Sequence, residues 1–153
     1  MREILFRGQT RKKGQKVWMD GTPVDGQWVY GGIFQGTGDY SIIYGAEKEH
    51  FTGKDLGKYV VYSNTVGQYT GLKDINGKMI FEGDIIESQG CRWVVGFENA
   101  AFVAMDGSNI QFAMFEQYIW HYKKRKWEAP DYFEVIGNIY DNPELLEVQN
   151  ERI

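Results

Sequence analysis

Cysteine, histidine and proline are scarce in this chain: one, two and three residues out of 153. A single thiol, Cys91, excludes an intramolecular disulfide and a multi-cysteine zinc site within the chain. The two histidines, His50 and His121, lie far apart and have no partner at metal-ligand spacing, so each reads as a surface or interface residue. No apolar run approaches the roughly 18 residues of a membrane span. The opening Met1-Arg2-Glu3-Ile4-Leu5-Phe6-Arg7-Gly8 has neither the roughly 7–15-residue apolar stretch nor the small-residue cleavage site of a secretory leader. Basic charge is also short, with 17 Lys and Arg against 21 Asp and Glu for a net charge of −4. No global positive field therefore awaits nucleic acid or anionic lipid.

Aromatic rings and glycine are abundant. Phe, Trp and Tyr make up 16% of the chain, and 19 residues are Gly, against an average near 7%. Rings favour pleated, half-buried surfaces and Gly favours tight turns, so the pair points to β structure. The hydrophobic share of 42% is that of a globular protein.

Period-2 alternation appears in at least six segments, with turn glycines between them. Ile4 and Phe6 alternate with charged neighbours, Thr10 to Gln15 is a basic turn, and Val17 and Met19 follow ahead of the Asp20-Gly21-Thr22-Pro23 turn. Strands are predicted over Gln27–Phe34, Tyr40–Tyr44 and Lys58–Tyr62, with Gly45–Gly57 as a long loop holding His50. Asn76-Gly77 is a hairpin signal leading to Met79-Ile80-Phe81. A further strand begins at Ile85-Ile86. Arg92–Phe97 places Trp93, Val95 and Phe97 on one face and pairs with Ala101–Met105 across Glu98-Asn99. Residues 108–122 are ambiguous: Ser108 and Gln111 have capping-box spacing and Phe112, Phe115, Ile119 and Tyr122 keep a helical period, while the surroundings favour strands. Tyr132–Tyr140 is a strand. Asn142 as N-cap and Pro143 as first residue then open a short terminal helix.

Few patterns suggest chemistry. Asp74-Ile75-Asn76-Gly77 with Glu82 resembles part of a calcium loop, but an early oxygen ligand is missing and Glu82 falls one position short. Hairpin chemistry explains the same residues. Glu82, Asp84 and Glu87, with His121, are the groups a metal-dependent hydrolase would use, although charges at a strand entrance normally mark solvent. Gly31-Gly32 and Gly36-Thr37-Gly38 precede no helix pattern and no Lys-Ser/Thr pair, so they read as turn and bulge glycines rather than a phosphate cradle. Cys91, beside Arg92 and Trp93, reads as a buried or half-buried thiol. The basic clusters are Arg11-Lys12-Lys13 and Lys123-Lys124-Arg125-Lys126. The second, with Trp120, Tyr122 and Trp127 interleaved, could act as a stacking platform for single strands. Glu128, Asp131 and Glu134 oppose it, and binding of random single strands tighter than about micromolar at physiological salt is not expected.

Two longer stretches carry a resemblance. Thr65-Val66-Gly67-Gln68-Tyr69-Thr70-Gly71-Leu72-Lys73-Asp74, followed by Asn76-Gly77-Lys78 and Phe81-Glu82-Gly83-Asp84-Ile85, is similar to one signature of the YopX family. Glu134-Val135-Ile136-Gly137-Asn138-Ile139-Tyr140-Asp141-Asn142-Pro143-Glu144-Leu145-Leu146 resembles the second. Phe6-Arg7-Gly8 and Gly26-Gln27-Trp28-Val29-Tyr30-Gly31 match more weakly, and the stretch from about Ser88 to Asp131 is variable. The resemblance implies a mainly β, phage- or prophage-encoded protein in the cytoplasm of a bacterial host, with no family catalytic residues to carry over.

The reading is thus a mainly β or β-rich α+β chain: small antiparallel sheets or an open SH3-like barrel, with a short C-terminal helix. Residues 1–153 form one domain, divisible into two β subdomains at about 1–64 and 65–153. The expected role is binding or oligomeric scaffolding without catalysis, cofactor or metal, with a phage or host protein as partner. Aromatic excess in a chain of this size points to a homo-oligomer. The alternatives are a single-strand binder using Lys123, Lys124, Arg125, Lys126 and Trp127, and a hydrolase using residues 82–87.

Overall fold

The computed structural model describes residues 3–10, 26–46, 57–107, 111–128 and 133–150. The expected strand at Val17 and Met19, the turn at 20–23, His50 and most of the loop around it lie outside the described residues. The chain divides into two compact units, residues 1–69 and 70–153.

The first unit is an antiparallel sheet of β1 (Phe6–Gln9), β2 (Trp28–Phe34), β3 (Tyr40–Ala46) and β4 (Gly57–Tyr62), joined on the β1 side by β5 (Gly67–Lys73), in the order β4-β3-β2-β1-β5. One face is apolar and inward: Val29, Ile43 and Val61 form its core, with Phe6, Ile33, Tyr59 and Val66 packed against them. The sheet curls around this face far enough for Thr10, just past β1, to bridge to Val61 on β4. Thr10 is buried; its N–H donates to the Gln27 carbonyl at 2.9 Å and its Oγ1 accepts the Gln27 N–H at 2.8 Å. Gly8 permits the approach, because a Cβ there would lie 2.7 Å from Val61 Cγ2. Among the described residues the strands do not close into a barrel.

β5 runs on past Tyr69 into the second unit, where β6 (Met79–Phe81) lies beside it. There β7 (Asp84–Ser88), β8 (Cys91–Glu98), β9 (Ala101–Met105), β10 (Gln111–Ala113) and, after the short hairpin of β11 (Ile119–His121) and β12 (Lys126–Glu128), β13 (Glu134–Asn138) give a second antiparallel sheet in the order β10-β9-β8-β7-β13. The helix α1 (Glu144–Asn150) ends the described chain. Ile80, Ile86, Val95, Ala104, Met114, Tyr118 and Phe133 form the core. Edge-on rings tie its parts together, with Trp93 to Phe112 at 4.9 Å and Tyr118 to Phe133 at 6.1 Å between centroids. Among the described residues no helix is long and apolar enough to cross a membrane.

Several local expectations are corrected. In the ambiguous stretch, residues 111–121 form β10, a 3-10 turn at Met114–Gln117 and β11; the ring period there serves a strand–turn–strand path in which Met114 and Tyr118 fill the core. Phe97 does not share the burial of Trp93 and Val95: it is exposed near the hairpin end, edge-on to Phe102 at 5.1 Å. The β8–β9 turn is Asn99-Ala100, both at positive φ, as the tight hairpin turn requires. The terminal helix opens where expected, the N–H groups of Leu145 and Leu146 donating to the carbonyls of Asn142 and Pro143 at 3.1 and 3.2 Å, while Asn142 Oδ1 accepts the Asn138 N–H at 3.2 Å.

The motif residues of this unit serve as internal hydrogen-bond hubs. Asp74 is only 5% exposed; its Oδ1 accepts the N–H groups of Asn76 and Lys78, each at 2.9 Å, and its Oδ2 accepts that of Val135 at 3.0 Å. The Ile75 N–H donates to the Phe133 carbonyl at 2.9 Å alongside. One carboxylate therefore shapes the Asn76-Gly77 turn and fastens it to β13. Replacing it with Ala strips three donors of their acceptor, and the loss is largest at Val135, the least solvated of the three. Asp74→Ala is expected to cost about 3 kcal/mol and Asp74→Asn about half of that, read from the midpoint of urea unfolding.

Candidate functional site

The basic turn stands where a ligand could reach it. Tyr122, Lys123, Lys124 and Arg125 connect β11 to β12, Lys126 opens β12 and Trp127 is its middle residue, opposed to Trp120 in the ladder. Lys123 to Lys126 are all exposed, Tyr122 is 84% exposed, and Arg125 takes a positive φ of 51°. The surrounding unit, however, is acidic: residues 70–153 hold 8 Lys and Arg against 14 Asp and Glu, a net charge of −6. Residues 1–69 hold 9 against 7 and carry +2. The four cations thus lie in the half of the chain whose field opposes a polyanion.

The acidic cluster is distributed rather than gathered. Asp84 is 1% exposed, and its Oδ2 accepts the Phe81 N–H at 2.8 Å to hold the Glu82-Gly83 turn. Gly83, at φ 88°, receives the Ile139 N–H on its carbonyl at 2.9 Å and donates its own N–H to the Val95 carbonyl at 2.9 Å. Glu87 lies three positions from Asp84, hence on the other face of β7, and meets Arg92 Nε at 3.4 Å. Arg92 Nη1 in turn donates to the Leu145 carbonyl at 2.7 Å. His121 closes β11. Among the described residues no trio of His, Cys, Asp and Glu is close enough to hold a metal. Asp74, the leading ligand of the calcium-loop fragment, already has both oxygens committed to backbone N–H groups.

Cys91 is exposed, not buried: it follows the Gln89-Gly90 turn, where positive φ at both residues swings the chain through solvent into β8. Asn138 ties the second signature together, its Oδ1 accepting the N–H groups of Tyr140 at 3.0 Å and Asp141 at 2.9 Å. The phenol of Tyr69 is pushed above its usual pKa by burial and by the negative charge of Glu3.

The surface that folding leaves unexplained is part of the outer face of the first sheet, where Tyr30, Ala46 and Val60 are buried but Phe34, Tyr40 and Tyr44 are exposed. In β3, Ser41 and Ile43 point inward, so Tyr40, Ile42 and Tyr44 point out. The register sets Phe34 beside Ile42, Gly32 beside Tyr44, Tyr62 beside Tyr40 and Lys58 beside Tyr44. Phe34 is 62% exposed, and Tyr40 and Tyr44 are exposed as well. Tyr40 and Tyr62 hold their rings 5.5 Å apart, and Lys58 Nζ lies 5.8 Å from the Tyr44 ring centroid. Three strands thus present a patch of rings with a single cation, Lys58. Sequence reading missed it because alternation in Tyr40-Ser41-Ile42-Ile43-Tyr44 shows two faces without saying which is inward. The available signal was the ring at both outward ends of that strand.

Gly31 and Gly32 differ in kind, and neither is the turn or bulge glycine that the sequence suggested, since the strand register runs unbroken through both. Gly31 and Gly45 are opposed in the β2–β3 ladder, and a Cβ on Gly45 would lie 1.8 Å from the Tyr30 carbonyl oxygen. Gly32, next along β2, has no such reason: its φ is not in the left-handed region and a Cβ there would meet nothing within 4 Å.

The family model described as YopX protein matches residues 22–147 of this chain. No curated protein matches it. Among solved structures, the crystal structure of protein EF1440 from Enterococcus faecalis is similar, with 20% sequence identity, a TM-score of 0.47, and coverage of 95% of this chain and 99% of that one.

The glycine contrast is testable by stability alone. Gly32→Ala should raise the melting temperature by about 1–3 °C, since it removes a flexible residue from a strand without a clash. Gly45→Ala should cost about 3 kcal/mol, because backbone must move to admit the methyl group. Thermal unfolding followed by circular dichroism reads both.

Proposed function

This chain belongs to the YopX family, and we propose that it acts by binding, without catalysis, through the outer face of β2, β3 and β4. The observation that carries the reading is the exposure of Phe34, Tyr40 and Tyr44 on one sheet face, in a chain whose buried carboxylates are spent on backbone hydrogen bonds. Apolar rings grouped on a surface and rimmed by polar residues mark interaction sites. Interface centres are enriched in aromatic residues and depleted of charge, and Lys58 is the one charged side chain among the residues of this patch. The partner is therefore a protein surface of matching apolar shape. On this reading the chain is a phage- or prophage-encoded factor working in the cytoplasm of a bacterial host.

Nucleic-acid binding through Lys123 to Lys126 is the weaker reading, because those cations sit in a unit of net charge −6. Hydrolysis by the 82–87 carboxylates is weaker still, with Asp84 holding a turn and Glu87 beside Arg92.

Hydroxyl-radical footprinting tests the face without knowledge of the partner. Modification of Phe34 and Tyr44, measured relative to Phe97 and Tyr122, should fall several-fold in cells expressing the chain compared with the dilute purified protein. An unchanged ratio, or protection of Tyr122 instead, would overturn the reading.

A further inference from the structure

Gly32 is the residue the fold does not account for. It lies inside β2 at an ordinary φ, with open space where its side chain would be. Glycine weakens a strand interior, and where neither a bulge nor a bend needs it, it marks the close approach of something from outside. The space above it is bounded on the same face by Tyr44 across the ladder and by Phe34 two residues along the strand. Phe34 itself stands out, 62% exposed. A knob and a hole thus share one strand, about 7 Å apart at two residues' rise.

That pairing is self-complementary. A two-fold axis lying in the interface plane, perpendicular to β2 and midway between the two positions, sets each Phe34 over the opposing Gly32, which is the pattern of an isologous interface. We propose that the occupant of the outer face is a second copy of this chain, docked face to face, with the Phe34 ring of each protomer in the space above Gly32 of the other. This rests on the outer face being the binding surface and names what binds there.

Charge and area agree with a second copy. Lys58 is the only charged residue of the patch, and it lies beside the Tyr44 ring at its margin, so two copies meet ring to ring with little buried charge. Taking about 200 Å² per ring, Phe34, Tyr40 and Tyr44 together offer roughly 300 Å². Adding Ile42, Tyr62, Gly32 and the stem of Lys58 brings each face to about 500 Å², or about 1,000 Å² for the pair, the lower limit of a specific interface. The dimer is therefore weak, with a dissociation constant in the tens of micromolar. Among the described residues of this face, Arg7 is buried against Trp28 and Lys58 is the exposed cation, too few for a backbone-tracking groove.

The test is sedimentation equilibrium of the full chain and two variants, with circular dichroism to confirm folding. The wild type should be a reversible dimer at about 100 µM. Phe34→Ala removes the knob and Gly32→Leu fills the hole, and each should weaken association at least tenfold while leaving the melting temperature unlowered. Mixed in equal amounts, the two variants should form a heterodimer: the intact Phe34 of one meets the open Gly32 of the other, and the leucine meets the space left by the alanine. A wild type that stays monomeric at several hundred micromolar, a Gly32→Leu chain that dimerises normally, or a mixture that fails to associate would each overturn the proposal. A monomeric wild type whose Phe34 is still protected from radicals in cells would remove the second copy and leave the binding face standing. Loss of both results would remove both.

Discussion

In the first unit Gly31 and Gly45 are opposed across β2 and β3 so tightly that a Cβ on either would reach within about 2 Å of a carbonyl oxygen of the other strand. No side chain fits there, so this pair locks the register of the hairpin. Because a strand alternates its faces, a one-residue slip of β3 would turn Ile43 out and Tyr40 and Tyr44 in. The core of Val29, Ile43 and Val61 and the exposure of Phe34, Tyr40 and Tyr44 are two consequences of the same register.

The second unit is organised by polar rather than steric constraints. Asp74, Asp84 and Asn138 each accept backbone N–H groups that a turn would otherwise leave unsatisfied. Leaving such donors unpaired costs more than an ordinary hydrogen bond contributes, which is reason enough for these side chains without any ligand. Acidic and amide residues that look like chemistry in the sequence are here the means of folding. The surface feature without a folding role lies in the other unit, and it is apolar.

Most strands were legible because their residues obey local rules. Gln27–Phe34, Tyr40–Tyr44, Lys58–Tyr62 and Ala101–Met105 are rich in aromatic, β-branched and other apolar residues and end at turn residues, and they lie where β2, β3, β4 and β9 are found. The signatures that resembled the YopX family were legible too, and the family is the one whose model matches. What escaped was anything decided by distant partners. The ring period of residues 111–121 suited a helix until the core claimed Met114 and Tyr118. Asn142 stands at the helix start as expected, and its side-chain oxygen also accepts the Asn138 N–H, a contact that no local rule shows. Cys91 looked like a small hydrophobe, yet the Gln89-Gly90 turn puts it in solvent. Gly32 was indistinguishable from Gly31 in the sequence. Only the positions of neighbouring atoms separate a glycine that has no room from one that has nothing around it.

Those two glycines carry the central claim, that the register of one hairpin builds a core on one side and a self-matching surface on the other. Fluorine NMR of the chain labelled with 4-fluorophenylalanine addresses it directly, through a dilution series from about 500 µM to 5 µM, a range that brackets a weak dimer. The account predicts that the Phe34 resonance moves with concentration while that of Phe97, also exposed but in the other unit, stays fixed. A Phe34 resonance that does not move, or one that moves together with Phe97, would contradict it.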